Sequence, residues 1–197
     1  MRNWLYILLT TLYRAFCFVC HPIRVKGIEN IPAEGPVIIC ANHQSAQDPF
    51  VLASYTKRGI RFMAKKELFR IFLVKSVCRK VGAFPVARGE NDISAVRTSL
   101  QLLKNGEILG IFPEGHRYHD GEMHEAFNGV SLIALRSKAA VVPVYIGGNY
   151  ALFRAMSLTI GKKVDLSEFG GKMDADTLEK TTEKIRGAIR RLADEPK

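Results

Sequence analysis

Short apolar runs alternate along this chain with stretches whose apolar residues recur at helical spacing. Mainly hydrophobic runs at 36–41, 59–64, 82–87, 107–112 and 140–146 predict strands, of which Val37–Ala41 and Ile108–Phe112 read as buried. Between them the pattern predicts helices near 48–56, 66–80 and 127–138. From Asp92 to Lys104, Ile93, Val96, Leu100 and Leu103 share one helical face that stops at Asn105-Gly106. Leu178, Ile185, Ile189 and Leu192 predict a C-terminal amphipathic helix, with Asp176 and Glu179 at capping-box spacing and Lys184, Arg186, Arg190 and Arg191 forming a basic face. Pro143, inside the last run, favours an edge or bulged strand. No repeat, low-complexity segment or second domain is visible. The expected architecture is a single α/β domain with a largely parallel or mixed central sheet flanked by helices.

The first residues behave differently. Trp4 to Cys20 is apolar except for Thr10, Thr11 and Arg14. That length is at the lower limit for a membrane span, and a central arginine costs about 2.5–3.5 kcal/mol on insertion scales. On a helix Asn3, Thr10, Arg14 and His21 fall along one seam, with Trp4, Leu5, Leu8, Leu12 and Phe16 elsewhere. Residues 1–24 are therefore expected to be a hydrophobic membrane-anchoring segment lying in the interface, with 25–197 as the domain proper. A cleaved signal peptide fits less well, because Arg14 interrupts the apolar region and no Ala-x-Ala site follows. An ordinary buried helix is the plainest alternative.

Charge sharpens the membrane expectation. The 197 residues carry a net charge of +10, an excess that points to polyanionic partners. No zinc-ligand array, RNA-binding aromatic signature or helix-turn-helix is present, so anionic membrane lipid is expected and nucleic acid is not. Cys40 and Cys78 lie in apolar runs and read as reduced, buried thiols. Cys17-Phe18-Val19-Cys20-His21 formally matches a haem-attachment pattern, but it sits inside the apolar segment and has no obvious distal ligand. His119 and His124 could suggest a metal site, without the fixed spacing that one needs.

Two constellations carry chemistry. Asn42-His43-Gln44-Ser45-Ala46-Gln47-Asp48-Pro49 follows the first predicted strand. A carboxylate five positions after a histidine can hold one imidazole nitrogen, fix the tautomer and stabilise the charge that arises when the other nitrogen takes a proton. Alternatively, Asp48 before Pro49 is a helix N-cap with proline at the first helical position. The second constellation, Pro113-Glu114-Gly115-His116-Arg117, puts a carboxylate, a flexible backbone and a phosphate-matching guanidinium in one loop. The predicted strand at 82–87 similarly delivers Arg88.

Taken in order, these blocks resemble the glycerolipid acyltransferase family, most of all its bacterial 1-acyl-glycerol-3-phosphate acyltransferases, over residues 25–150. The resemblance implies transfer of an acyl chain from a thioester donor to a lysophospholipid hydroxyl; the N-terminal segment and the reduced cysteines add the expectation of a peripheral or monotopic protein at the cytoplasmic face of the cell membrane. It implies His43 as general base and Asp48 as its orienting partner. Glu114 and Gly115 would shape the acceptor site, Arg88 and Arg117 would bind the acceptor phosphate, and Lys65 matches a further family lysine near the phosphate. No cofactor or metal is implied; acyl carrier protein or coenzyme A carries the acyl chain as co-substrate. Main-chain amides around Gly115 are candidate oxyanion donors. The chain departs from the family pattern at His116, where a threonine is usual, at Tyr118, where a serine often stands, and at Asn128, where a basic residue is usual. These departures leave open another acceptor, such as glycerol-3-phosphate or a lyso-aminolipid. A non-catalytic protein binding anionic membranes is the alternative from a different class.

Overall fold

The run Val37–Ala41 forms strand β2, and every one of its side chains is buried because they alternate between two apolar layers. The computed structural model describes residues 3–87, 92–118, 126–170 and 173–194. Among these, β2 lies at the centre of a seven-stranded sheet. The other strands are β1 (Ile23–Lys26), β3 (Ile60–Lys65), β4 (Phe84–Val86), β5 (Ile108–Ile111), β6 (Ala140–Gly147) and β7 (Met156–Ile160). Their order is β1-β7-β6-β2-β5-β3-β4. Strands β2 to β6 run parallel to their neighbours, β7 is antiparallel to β6, and β1 is parallel to β7. The sheet is therefore mixed.

Helices cover both faces. Val37, Ile39 and Ala41 pack with Val51 and Leu52 of α2 (Asp48–Tyr55) and with Tyr13 of α1 (Trp4–Cys20). On the other face Ile38 and Cys40 meet Leu103 of α4 (Ile93–Lys104), Ile133 of α5 (Gly129–Ser137), and Ile185 and Ile189 of α6 (Ala175–Ala193). Helix α3 (Phe72–Lys80) follows β3 after a short 3₁₀ turn.

Several expectations need correction. The strands β1 and β7 escape the pattern because they are short and mix polar with apolar residues. The single helix expected over 66–80 is broken at Ile71, whose extended backbone (φ −84°, ψ 116°) separates the 3₁₀ turn from α3. The cap of α6 is Asp174, which accepts from the Thr177 amide, so Asp176 already lies in the first turn. Pro143 is neither at an edge nor in a bulge: β6 lies between β2 and β7. The Pro143 carbonyl accepts from Gly161 N, just past the end of β7. Its nitrogen therefore faces the same way, where the ladder has ended, and no donor toward β2 is lost.

Candidate active site

The carboxyl ends of β2 and β5 lie side by side, with Cys40 opposite Ile111. Their following loops are thereby brought together at the end of a parallel sheet where ligands commonly bind. The Tyr118 amide donates to the His43 carbonyl at 2.9 Å and ties one loop to the other. Asn42 fastens the first loop to β6: its side-chain amide donates to the Ile146 carbonyl at 3.0 Å, and its Oδ1 accepts from Ile146 N at 2.8 Å. Gln44 Nε2 donates to that same carbonyl. A buried asparagine here extends the ladder with its side chain, so the loop leaves the strand in one fixed direction.

Asp48 is completely buried and well supplied with donors. Its Oδ2 accepts from His43 Nδ1 at 2.7 Å and from the amides of Gln44 and Ser45, each at 2.8 Å. Its Oδ1 accepts from the Tyr150 hydroxyl at 2.6 Å. Asp48 is also the first residue of α2, with Pro49 beside it, and Gln47 rather than Asp48 occupies the cap position. The carboxylate thus turns back onto the histidine loop instead of capping its own helix. It sits where the partial positive charge of the helix N-terminus favours an anion. Burial and the neighbouring Asp48 charge push the Tyr150 phenol above its ordinary range, which keeps its proton on the oxygen.

On the other side of the ring, His43 Nε2 accepts from Arg117 Nε at 3.4 Å. Together with Nδ1–H on Asp48, this defines a neutral imidazole with its lone pair on Nε2. The Phe112 ring stacks on the imidazole, centroids 4.1 Å apart and planes 18° from parallel, and Phe62 lies behind Phe112. An aromatic face so placed stabilises a cationic imidazolium. Only 5% of His43 is exposed, so a partner must come to the ring edge.

Sequence-predicted site residues divide clearly. His43, Asp48, Glu114, Gly115 and Arg117 come together. Glu114 is buried and accepts from the His43 main-chain amide at 2.9 Å, so its contact is with the backbone of the histidine loop. Gly115 has φ +65°, and a Cβ there would lie 2.7 Å from the Phe127 ring; glycine is required by conformation and packing together. The Gly115 amide is already committed to the Phe112 carbonyl, and Tyr118 N to His43, which removes both from the candidate oxyanion donors. Lys65 ends β3, two strands from β2 on the same edge of the sheet, exposed and 3.9 Å from Glu67. Arg88, His119 and His124 lie outside the described residues. Asn128 accepts from Thr182 of α6 and so joins two helices. Tyr150, Phe112 and the Tyr13–Gln47 hydrogen bond were not foreseen; nothing local in the sequence marks them.

The orientation of α1 also differs from expectation. Its polar seam is split: Thr10 and His21 are buried, whereas Asn3 and Arg14 are exposed. Tyr6, Thr10 and Cys17 are buried against the domain, Thr10 donates to the Tyr6 carbonyl of its own helix, and Tyr6 Oη accepts from Ile60 N. His21, expected at the interface, is buried with Nδ1 3.1 Å from the Ala151 carbonyl. The outward surface is mostly apolar, carrying Trp4, Ile7, Leu8, Leu12, Phe16, Phe18 and Val19 beside the exposed Thr11 and Arg14. At one end of α1 the Asn3 side chain donates to the Lys80 carbonyl at the end of α3, a helix whose first residues Phe72 and Leu73 are exposed. At the other end Phe153 N donates to the Cys20 carbonyl, with Leu152 and Phe153 exposed. No described helix is long and apolar enough to cross a membrane.

Comparison with known proteins identifies the family and the fold. The family model described as Acyltransferase matches residues 22–147. A 1-acyl-sn-glycerol-3-phosphate acyltransferase of Bacillus subtilis is 34% identical over 176 residues, covering 86% of this chain and 87% of that protein. The protein of the same name from Streptococcus pneumoniae is 31% identical over 167 residues, covering 81% of this chain and 61% of its own length. The crystal structure of the 1-acyl-sn-glycerophosphate (LPA) acyltransferase PlsC from Thermotoga maritima superposes with a TM-score of 0.74 at 27% identity, covering 98% of this chain and 81% of that one.

Proposed function

Because the chain belongs to the acyltransferase family, we propose that it transfers a fatty acyl group from a thioester donor to the free sn-2 hydroxyl of 1-acyl-glycerol-3-phosphate, giving phosphatidic acid. The observation that carries this reading is His43, held through Nδ1 by the buried Asp48 and offering its other nitrogen at the ring edge.

An aliphatic hydroxyl is almost fully protonated at neutral pH. His43 Nε2 takes its proton as the oxygen attacks the thioester carbon, and Asp48 stabilises the imidazolium that results. A C–O bond forms, the tetrahedral intermediate collapses, and the C–S bond breaks. The imidazolium then returns its proton to the departing thiolate, which leaves His43 neutral. The donor is the thioester of acyl carrier protein or coenzyme A. Arg117, Arg88 and Lys65 bind the acceptor phosphate. Arg117 reaches His43 now, and a phosphate offers its guanidinium a stronger, bidentate partner.

The acceptor and product are lipids, and the outward face of α1 supports a position on the cytoplasmic face of an anionic cell membrane. Residues 1–24 act as the anchoring segment and 25–197 as the acyltransferase domain. Further exposed apolar side chains are Phe72 and Leu73 at the start of α3, and Leu152 and Phe153 beside the end of α1, and α3 adds exposed Arg79 and Lys80. Phe153 has φ +62°, a conformation costly for a bulky side chain, and leaves its ring in solvent. Helix α1 therefore lies along the interface, docked on the domain through Tyr6, Thr10 and Cys17.

The experiment combines purified protein, a radiolabelled acyl thioester and 1-acyl-glycerol-3-phosphate, with glycerol-3-phosphate and a lyso-aminolipid as competing acceptors. Labelled phosphatidic acid is the expected product. Preferential labelling of another acceptor would reassign the substrate, and no transfer to any of them would overturn the enzyme reading.

A further inference from the structure

Asp48 draws its donors from two directions. Oδ2 receives His43 and two main-chain amides, whereas Oδ1 receives Tyr150 from a loop beyond β6. Resting on the reading of His43 as general base, we propose that Tyr150 is a positioning residue for acyl transfer: its hydroxyl holds the Asp48 carboxylate in the plane that presents Oδ2 to His43.

A carboxylate gripped at one oxygen alone can pivot about that oxygen. The 2.6 Å bond to Oδ1 supplies a second point and prevents the rotation. It also gives a donor to an oxygen that burial separates from water, where a missing partner is costly. Tyr150 is itself restrained. Its ring meets His21 edge-on, with centroids 6.0 Å apart, and the His21 Nδ1 contact to Ala151 holds the neighbouring backbone. A bulk solvent hydroxyl would lack this fixed direction.

Among the described residues, several titratable and charged groups face the unit. Tyr13 and Cys17 face it from α1, and burial pushes both above their ordinary ranges. His21 approaches from the end of α1. Glu114 and Arg117 come from the loop after β5 and are held at the His43 main-chain amide and at Nε2 respectively. With the Tyr150 hydroxyl removed, the Asp48 charge is shared by fewer donors and bears more heavily on Oδ2. The protonated His43–Asp48 pair then holds its proton more tightly, and base catalysis requires higher pH.

Tyr150→Phe removes the hydroxyl and keeps the ring that packs on His21. Steady-state kinetics with a labelled acyl thioester and 1-acyl-glycerol-3-phosphate should show kcat reduced about tenfold, part of what a positioned base provides. KM for either substrate should change by less than about twofold, as expected when only the transition-state interaction is lost. The acidic limb of the kcat/KM profile should move to higher pH. Placing 3-fluorotyrosine at position 150, a stronger donor of the same shape, should move that limb the other way and keeps the test intact if the phenylalanine variant folds poorly.

Wild-type kcat and an unmoved limb in Tyr150→Phe overturn the proposal. So does a loss that tracks only the fraction of folded enzyme, or one confined to KM. His43→Ala is run alongside. If that variant stays active, the base assignment has failed; if it is inactive while Tyr150→Phe behaves as wild type, only the role of Tyr150 has failed.

Discussion

Arg117 Nε stands 3.4 Å from Nε2 of His43, the nitrogen that receives the hydroxyl proton in the proposed reaction. A guanidinium in that position has to give way before a hydroxyl can approach, and an acceptor phosphate is the group suited to draw it aside. Arg117→Ala therefore loses charge-assisted hydrogen bonds worth roughly 1.5–3 kcal/mol each. The loss should appear mainly as a raised KM for the phosphate acceptor, with kcat lower too if the phosphate aligns the hydroxyl on His43. Arg117→Lys should recover only part of it, because a point charge cannot reproduce the planar fork. Kinetics with a lysophosphatidate and with a monoacylglycerol check this; equal losses on both would remove Arg117 from phosphate binding.

The base itself gives a larger effect. His43→Ala should lower kcat by about 10²–10⁴-fold, the range for a positioned general base. Asp48→Asn should fall short of that if Asp48 only orients and stabilises the ring. It also replaces the acceptor that Oδ2 provides to three donors, so melting temperature must be measured beside kinetics. A folded His43→Ala enzyme with near-wild-type turnover would sink the mechanism.

What was legible in the sequence was local. The five runs became β2 to β6: β2, β5 and most of β6 are buried on both faces and nearly continuous in apolar residues, whereas β3 and β4 are only partly buried. The His43–Asp48 pair could be read because a short turn forces those residues together. The Asp48–Tyr150 bond spans 102 positions and depends on where β6 ends, which no local pattern encodes. Glu114 was found, but its contact with the His43 amide required knowing that β2 and β5 are neighbours. For α1 the periodicity revealed two faces without telling which one docks. Thr10 bonds back to its own helix and His21 meets Ala151, so these two polar residues could be buried at little cost while Arg14 and much of the apolar face stayed outside.

Gly115 links the loop's conformation to its packing. Gly115→Ala must adopt φ near +65° and move its Cβ or the Phe127 ring, which lies 2.7 Å from that position. The left-handed conformation alone costs about 1–2 kcal/mol. The variant should unfold at lower temperature, and it should be less active because Glu114 and Arg117 flank the displaced turn. An unchanged melting curve would show that the loop relaxes around the new methyl group.

Membrane binding can be separated from folding because the residues concerned point outward. Deleting residues 1–21 is a blunt test, since Tyr6 and Cys17 are buried in the domain and their loss risks aggregation. Phe18→Asp and Phe72→Asp are cleaner, as both side chains are 82% exposed and touch little of the core. Burying a phenylalanine side chain is worth about 1.5–3 kcal/mol, so each change should weaken binding to phosphatidylglycerol-containing vesicles by roughly tenfold or more. Each well-placed Lys or Arg adds about 1 kcal/mol near anionic lipid, so the remaining binding should fall as salt rises. Activity on a short-chain acceptor in free solution should be kept, because neither residue reaches His43. Sedimentation with vesicles provides the measurement. Full, salt-resistant binding by the double variant would place the membrane contact elsewhere on the molecule.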